Sequence, residues 1–338
     1  MGPSSGKISL YRVTGLKSSR AIVPSFNDFE VQDDGEAISG RAAGARFFPY
    51  TACFETEKLI AVSFHSRESL LRATFVKSEL QKAKRLVSIP FAQLQGLTEG
   101  HPPGDRPVAP VYVFSAGRSG STLVSKLCNS VDFTSVSEPE IFFSLLSAAS
   151  TTKHARGRAL LRQVTHASTA MILSALEDQD AVIKLQAQTS AIAPLLLQAS
   201  PHASGVMLLR EPISWASSAI RAFDWSPDYL VGLLETTYRA ITRCNELGRP
   251  LTVVRYEDVS AQPAEFLKLM AKLRSLPVPD HSGDALAAAM LEDSQGDTDL
   301  SRAIVRDKPL NQNNLDDFAK KWEHRARDLA AQGLELFY

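Results

Sequence analysis

From about residue 108 onward, short apolar runs alternate with longer amphipathic segments. The short runs are rich in β-branched and aromatic residues, which predicts buried strands near 111–114, 133–136, 181–184, 205–209 and 252–255. Between these runs, apolar residues recur at helical spacing, at about 121–129, 157–176, 191–198, 226–247 and 263–274. Strands that alternate with helices indicate an α/β fold, with a parallel sheet flanked by helices.

The pattern before this region is less regular. Strands are predicted at 47–54, 59–64 and 86–91, and a helix at 67–84 behind the potential capping residue Ser66. These elements form no repeating βα unit, so they predict an α+β region.

Two polar segments bound that region. Residues 28–40 are polar and acidic, and we expect a loop or an irregular sheet edge there. The segment 96–110 is rich in glycine and proline, which interrupt helices and sheets, so it marks a linker or boundary. We therefore predict an N-terminal α+β extension or small domain over 1–107, without a visible site, and an α/β domain over 108–338.

Composition narrows the classes of function. The 338 residues are 44% apolar and 22% charged, as in ordinary soluble proteins. Lys and Arg (37) balance Asp and Glu (37), so no overall field favours nucleic acid or an anionic membrane. No stretch has the length of a membrane span, and the N-terminus lacks the apolar core of a signal peptide, so we expect a cytoplasmic protein. Three scattered cysteines and no His/Cys/Asp cluster predict no metal site.

The first candidate site is the turn after the strand at 111–114. Gly117 and Gly120 permit positive φ angles, and Ser121 and Thr122 stand where a helix begins. Such a turn directs backbone N–H groups and the positive helix end toward one point, which suits a phosphate, and Arg118 adds a forked donor. The alternative is a glycine-serine turn without a ligand. The nucleotide-kinase motif is absent, because Ser121 occupies the place of its lysine.

The second candidate site follows the strand at 205–209. Arg210 ends that strand, Pro212 begins a helix, and Ser218 stands eight positions after the arginine. An arginine fork and a hydroxyl in this arrangement can bind one phosphate together. The alternative is an ordinary salt bridge between Arg210 and Glu211.

Both segments resemble motifs of the sulfotransferases that use 3′-phosphoadenosine-5′-phosphosulfate (PAPS). The run from Arg118 to Thr122 resembles the loop that binds the 5′-phosphosulfate, and the run from Arg210 to Ser218 resembles the 3′-phosphate signature. Residues 254–259 are similar to the later Tyr-Glu-Asp segment of that family. The resemblance covers about 108–260. It implies a P-loop-type α/β fold, PAPS as co-substrate and adenosine 3′,5′-bisphosphate (PAP) as product.

The resemblance also implies roles for individual residues. The nucleotide would be held by Gly117, Arg118, Ser119, Gly120, Ser121, Thr122, Arg210 and Ser218. Arg118 would also neutralise charge on the leaving oxygen, with assistance from Lys184 on the neighbouring strand. The usual Lys-x-His is here Lys184-Leu185-Gln186, and glutamine cannot accept a proton.

The general base is therefore expected in the segment Ser137–Phe142, which resembles the Glu-Pro segment of carbohydrate-type and bacterial sulfotransferases. We predict Glu138 as the base. Glu140 is the second candidate, although a carboxylate there can simply favour a helix N-terminus. His154 and His166 come next.

The acceptor and the oligomeric state stay open at this stage. A small molecule, a carbohydrate or a peptide could receive the sulfuryl group on a hydroxyl or an amine. Two other functions compete: a P-loop nucleotide kinase or hydrolase, which needs the missing lysine, and a non-catalytic nucleotide-binding protein with a degenerate site. The basic residues Arg302, Arg306 and Lys308 lack the Arg-Lys-Gly pattern of the family's C-terminal loop, so we expect a solvated face.

Overall fold

The structure is a computed structural model that describes residues 7–17, 23–98, 109–278, 283–292, 296 and 300–337. The chain divides into two compact units, each assembled from separate segments. The first unit comprises Met1–Pro110, Val136–Ile183 and Leu195–Ala203, and the second comprises Val111–Ser135, Lys184–Pro194 and Ser204–Tyr338.

The N-terminal part contains a five-stranded antiparallel sheet in the order β2-β1-β5-β4-β3. Its strands are β1 (Ser9–Leu16), β2 (Phe29–Ala37), β3 (Phe47–Cys53), β4 (Lys58–Ser63) and β5 (Arg85–Pro90). The last three confirm the predicted strands. The acidic segment is not a loop, because it forms the edge strand β2, whose pairing with β1 contains two register irregularities.

The helices of this part are short. They are α1 (Gly40–Arg46), α2 (Arg67–Arg72), α3 (Val76–Leu80), α4 (Gln95–Thr98) and a 3-10 turn at each of Phe26–Asp28 and Phe91–Gln93. Ser66 caps α2 as predicted, since its hydroxyl accepts from the Ser69 amide. The single helix predicted over 67–84 is wrong, because Ala73 takes an extended ψ of 124° and interrupts it.

A second sheet of five strands has the order β10-β9-β6-β8-β7. Its strands are β6 (Val111–Ser115), β7 (Ser135–Ser137), β8 (Val182–Lys184), β9 (Ser204–Leu209) and β10 (Thr252–Arg255). Strand β9 pairs in parallel with β6 on one side and with β10 on the other. Strands β6 and β9 are almost fully buried, as expected for parallel strands covered on both faces. The predicted α/β class, with a parallel sheet flanked by helices, is confirmed.

The remaining helices follow these strands. They are α5 (Ser121–Asn129), α6 (Ile141–Thr151), α7 (Ala155–Leu176), a 3-10 helix (Ala187–Ile192), α8 (Ala193–Ala199), α9 (Pro212–Phe223), α10 (Pro227–Glu246), α11 (Tyr256–Ala261), α12 (Pro263–Leu273), α13 (Gly283–Leu291), α14 (Arg302–Asp307) and α15 (Gln312–Ala331). Helix α5 has the predicted bounds. The predicted boundary at 107/108 lies outside the described residues, and the two-domain division stays a prediction. No helix in the described ranges is long and apolar enough to cross a membrane.

Candidate phosphate-binding site

The loop between β6 and α5 has an unusual backbone. Gly117 and Gly120 have φ angles of 75° and 82°, as predicted from the sequence, and Arg118 also has a positive φ, of 49°. A non-glycine residue in this region costs on the order of 1–3 kcal/mol and persists where the surroundings impose it. The loop therefore holds a strained shape at the start of a helix, a place where backbone N–H groups can bind an anion.

Side chains hold the loop from behind. The indole Nε1 of Trp215 donates to the Gly117 carbonyl at 2.6 Å, and the Ser119 hydroxyl donates to the same carbonyl at 3.1 Å. Trp215 is 1% exposed, and its ring packs edge-on against Phe318 with centroids 6.0 Å apart. The loop is thus anchored to helix α9, the helix that carries the second motif.

Gly120 has no room for a side chain. A Cβ atom there would lie 2.2 Å from Cδ2 of Tyr256, which is closer than any real contact. Tyr256 is the first residue of α11, directly after strand β10. The close approach brings this aromatic ring against the loop between β6 and α5.

The two predicted motifs meet. The Arg118 Nε donates to the Ser218 hydroxyl at 3.3 Å, and the Arg210 Nη1 donates to the Arg118 carbonyl at 3.2 Å. The Arg210 guanidinium also lies over the Tyr256 ring, 5.1 Å from its centroid, which favours a fixed orientation for the cation. Arg118, Arg210 and Ser218 therefore lie together although they are far apart in sequence.

Glu211 caps helix α9. Its carboxylate accepts from the amides of Ile213 at 2.9 Å and Ser214 at 2.7 Å. Partial burial opposes ionisation, but these hydrogen bonds prevail and lower the pKa of Glu211. The carboxylate is thus engaged at the helix N-terminus, the charge of Arg210 also helps to lower the pKa of Glu211, and the Arg210 Nη1 donates to the Arg118 carbonyl.

These residues border one cavity of about 510 Å³. Its lining consists of Arg118, Gly120, Ser121, Thr122, Leu123, Arg210, Ser214, Ser217, Ser218, Arg221, Tyr256, Leu300, Val305 and Arg306. Among these described residues there are four arginines and no carboxylate. The hydroxyls, the arginines and the N-terminus of α5 make the cavity suitable for a ligand with more than one anionic group.

One wall of the cavity comes from the segment 300–308. The Arg118 Nη1 donates to the Leu300 carbonyl at 3.2 Å, and the Arg221 Nη1 donates to the Lys308 carbonyl at 2.7 Å. Val305 is buried against the cavity, while the Arg306 side chain is exposed at its rim. Arg306 therefore borders the cavity while its side chain stays exposed, Lys308 does not line the cavity, and the side chain of Arg302 lies outside the described residues.

Lys184 ends strand β8 and is 2% exposed. The next residue, Leu185, donates its amide to the Val113 carbonyl on strand β6 at 3.0 Å. Lys184 therefore lies at the carboxyl edge of the parallel sheet, where α/β proteins bind ligands. Its assisting role stays a prediction.

The two glutamates of the Glu-Pro segment differ in environment. Glu138 is partly exposed and has a φ of 57°, a strained backbone of the kind found at functional positions. Glu140 is 6% exposed, and its Oε1 lies 3.0 Å from the Lys77 Nζ. Burial raises the pKa of Glu140, and Lys77 partly opposes that rise. Both belong to the first compact unit, and which of them acts as base stays a prediction.

His154 and His166, the further candidates for the general base, both make structural contacts. The His154 Nδ1 accepts from the Gly157 amide at 3.0 Å and caps α7, whereas the His166 Nδ1 lies 3.0 Å from the Ala199 carbonyl. In the described part of the chain, no three His, Cys, Asp or Glu side chains are grouped to hold a metal ion.

The residues of this site that were not assigned a role from the sequence include Trp215, Arg221 and Tyr256. Arg221 could have been found, since it follows Ser214, Ser217 and Ser218 at helical spacing on one face of α9. Tyr256 belongs to the segment that resembles the Tyr-Glu-Asp motif, but its contact with Gly120, like that of Trp215 with Gly117, depends on the tertiary fold.

No protein-family model matches the sequence, and no curated protein matches it. Solved structures do match. A sulfotransferase domain from the Synechococcus PCC 7002 olefin synthase is 16% identical, with a TM-score of 0.36, over 67% of this chain and 97% of that chain. A sulfotransferase from Mycobacterium avium is 14% identical, with a TM-score of 0.41, over 72% of this chain and 82% of that one.

A retinol dehydratase in complex with androsterone and the inactive cofactor PAP is 13% identical, with a TM-score of 0.40, over 74% of this chain and 87% of that one. The Synechococcus and Mycobacterium avium structures are named as sulfotransferases. The two sequence motifs resemble those of the same family.

Proposed function

We propose that this chain is a sulfotransferase that moves a sulfuryl group from PAPS to a hydroxyl of an acceptor. The observation that carries the proposal is the convergence of Arg118, Arg210 and Ser218 on one cavity at the N-terminus of α5. A nucleotide with phosphates at both the 5′ and the 3′ position matches two separate arginines better than a single phosphate does.

The residues present fit such a donor. The N–H groups of the loop, with Ser121 and Thr122, would hold the 5′-phosphate, and Arg210 and Ser218 would hold the 3′-phosphate. PAPS supplies an activated sulfuryl group whose leaving group is a phosphate oxygen. The cavity volume of about 510 Å³ falls in the range of small-molecule sites.

The chain's contribution is to position groups and to stabilise charge, as in phosphoryl transfer. The acceptor oxygen bonds to sulfur while the bond from sulfur to the phosphate oxygen breaks, and the electron pair stays on that oxygen. Arg118, with Lys184, would stabilise the negative charge that develops there. The acceptor proton passes to a glutamate, for which we keep Glu138 as the first candidate and Glu140 as the second.

A non-catalytic nucleotide-binding protein is the main alternative, since Gln186 replaces the usual histidine base. A nucleotide kinase is less compatible, because the cavity lining holds arginines and no lysine beside the loop among the described residues. A non-catalytic protein would show no turnover, and a nucleotide kinase would depend on magnesium.

Calorimetric titration tests the binding half of the proposal. PAP is expected to bind more tightly than adenosine 5′-monophosphate, and adenosine 2′,5′-bisphosphate should not reproduce the gain. Equal affinity for PAP and the monophosphate would refute a 3′-phosphate site. Release of PAP from PAPS that depends on an added acceptor and survives a chelator would support the enzyme. Turnover restored only by magnesium would favour a kinase.

A further inference from the structure

Three aromatic side chains cluster at the junction of α9 and α10. Phe223 ends α9, Trp225 lies in the connection, and Tyr229 is in the first turn of α10. The Phe223 and Trp225 rings stack with centroids 4.3 Å apart, and the Tyr229 ring meets Trp225 edge-on at 5.0 Å. We call these three residues the aromatic cluster.

The cluster is open to solvent. Phe223 is 36% exposed and Tyr229 is 39% exposed, and Trp225 is half-buried. A contiguous patch of exposed apolar side chains is a candidate binding surface for another molecule, because exposed apolar area does not stabilise the fold. The left-handed Asp224, with a φ of 52°, turns the chain so that all three rings gather at this junction.

The cluster touches the phosphate-binding loop. A Cβ atom on Gly117 would lie 4.0 Å from the Trp225 Cη2 and 3.2 Å from the Ala187 Cβ. The Gln188 Nε2 donates to the Tyr229 hydroxyl at 2.9 Å, which ties the segment after Lys184 to the same cluster. Three chain segments therefore meet at Gly117, the first glycine of the loop.

The cluster is separate from the anion cavity. None of its rings lines that cavity, whose contact with the loop begins at Arg118. An acceptor has to approach the sulfuryl group from outside the part of the site that holds the two phosphates, because attack is in line with the leaving oxygen. Gly117 and Trp225 lie outside the lining of that cavity.

We propose that the aromatic cluster of Phe223, Trp225 and Tyr229 binds the acceptor, and that the acceptor carries an aromatic ring beside its reactive hydroxyl. This inference rests on the proposed function. Aromatic rings stack on one another in offset or edge-on geometry and gain affinity beyond the area they bury. A sugar, whose ring can also pack on an aromatic face, is the competing acceptor.

Direct binding is measured first, by saturation-transfer NMR on the full chain saturated with PAP. The probes are 2-naphthol, as the aromatic alcohol, and methyl β-galactoside, as the sugar. Wild type should bind 2-naphthol, and Trp225→Ala should weaken that binding about ten-fold, whereas Trp225→Phe should retain most of it. Leu247→Ala, which removes a 44% exposed side chain at the end of α10, is the control and should change nothing.

Transfer from PAPS to 2-naphthol is measured with the same variants. In Trp225→Ala, kcat/KM should fall about ten-fold through KM, while the PAP dissociation constant stays the same. Binding or sulfation of the galactoside with no response to 2-naphthol would overturn the inference. Normal PAP binding without 2-naphthol binding would overturn the inference and leave the proposed function standing. Binding of 2-naphthol without PAP binding would overturn the proposed function, and with it the role of the cluster as an acceptor site.

Discussion

Gly120 and Tyr256 are in such close contact that a Cβ atom on the glycine would lie 2.2 Å from the tyrosine ring. We predict that Gly120→Ala displaces the loop from Tyr256 and abolishes PAP binding measured by calorimetry. The positive φ of 82° adds about 1–2 kcal/mol of strain for alanine.

Gly248→Ala is a control that separates the steric contact with Tyr256 from the strain of a positive φ. Gly248 also has a positive φ, of 66°, but a Cβ there would meet nothing within 4 Å. This control should lose stability to a similar strain while it keeps PAP affinity. Undiminished PAP affinity in Gly120→Ala would contradict the assignment of the loop as a phosphate site.

Arg210→Ala should weaken PAP binding by about 1.5–3 kcal/mol, the usual range for hydrogen bonds to a charged group. Arg210 also donates to the Arg118 carbonyl, so part of the loss will reflect a looser loop. The loss that comes from a looser loop should be the same for adenosine 5′-monophosphate. The extra loss of binding free energy that only PAP shows therefore measures the contact of Arg210 with the 3′-phosphate. Arg327→Ala, at an exposed arginine outside the cavity lining, is the control. A uniform loss for both nucleotides would place Arg210 in a supporting role only.

Glu138→Gln should lower turnover by roughly 10²–10⁴-fold, the range for a lost general base, with PAP binding nearly unchanged. Glu140→Gln should lower turnover far less, because we assign that buried carboxyl to the ion pair with Lys77. Both variants keep the shape of the side chain, and single-turnover kinetics with saturating PAPS compares them. The opposite ranking would make Glu140 the base, and normal turnover in both would move the search to other residues.

The stability of the folded chain should depend on pH through Glu140. Burial raises the pKa of Glu140 above its ordinary value of 4.5, so the folded protein keeps this proton where the unfolded chain has lost it. The stability contributed by this group is therefore complete below pH 4.5 and is lost as the pH rises through the folded-state pKa. Glu140→Gln should show a smaller decrease in Tm than wild type between about pH 4 and about pH 7.

Glu79→Gln is the matched control for that measurement. Glu79 is 7% exposed and pairs with Lys82 at 3.0 Å, so its replacement also removes a buried partner of a lysine. If this variant flattens the pH dependence as much as Glu140→Gln does, the effect belongs to ion-pair loss in general and not to the pKa of Glu140.

The elements that the sequence predicts well have local causes. The apolar run of β6, the glycines of the loop and the start of α5 at Ser121 are all encoded within a few neighbouring residues. The helix that was predicted over 67–84 failed because its periodic pattern continues through Ala73, where the chain is extended. Of the two alternatives predicted for residues 28–40, the irregular sheet edge is confirmed by β2, since an edge strand tolerates acidic residues that a central strand would not.

The site also contains residues with a local sequence signal and residues that only the tertiary fold brings together. The convergence of Arg118, Arg210 and Ser218 was predictable because Arg118 and Arg210 each follow a recognisable strand and Ser218 lies on the helix after the second strand. Parallel strands bring their carboxyl ends to one edge. The contact of Trp215 with Gly117 and that of Arg221 with the 300–308 segment join residues distant in sequence. No local pattern specifies such partners, so they could be read only from the folded chain.

The hydrogen bond from Arg118 to Ser218 has a thermodynamic consequence. In this conformation the guanidinium already donates to the Ser218 hydroxyl of the second motif and to the Leu300 carbonyl. A ligand with a single phosphate has to compete with these internal hydrogen bonds of Arg118. A bisphosphate can offer phosphate oxygens both to Arg118 and to Ser218, and so can replace the bond that joins them. The two phosphate subsites should therefore be energetically coupled, and a mimic of only one half of the nucleotide should inhibit much more weakly than half of the total binding free energy suggests.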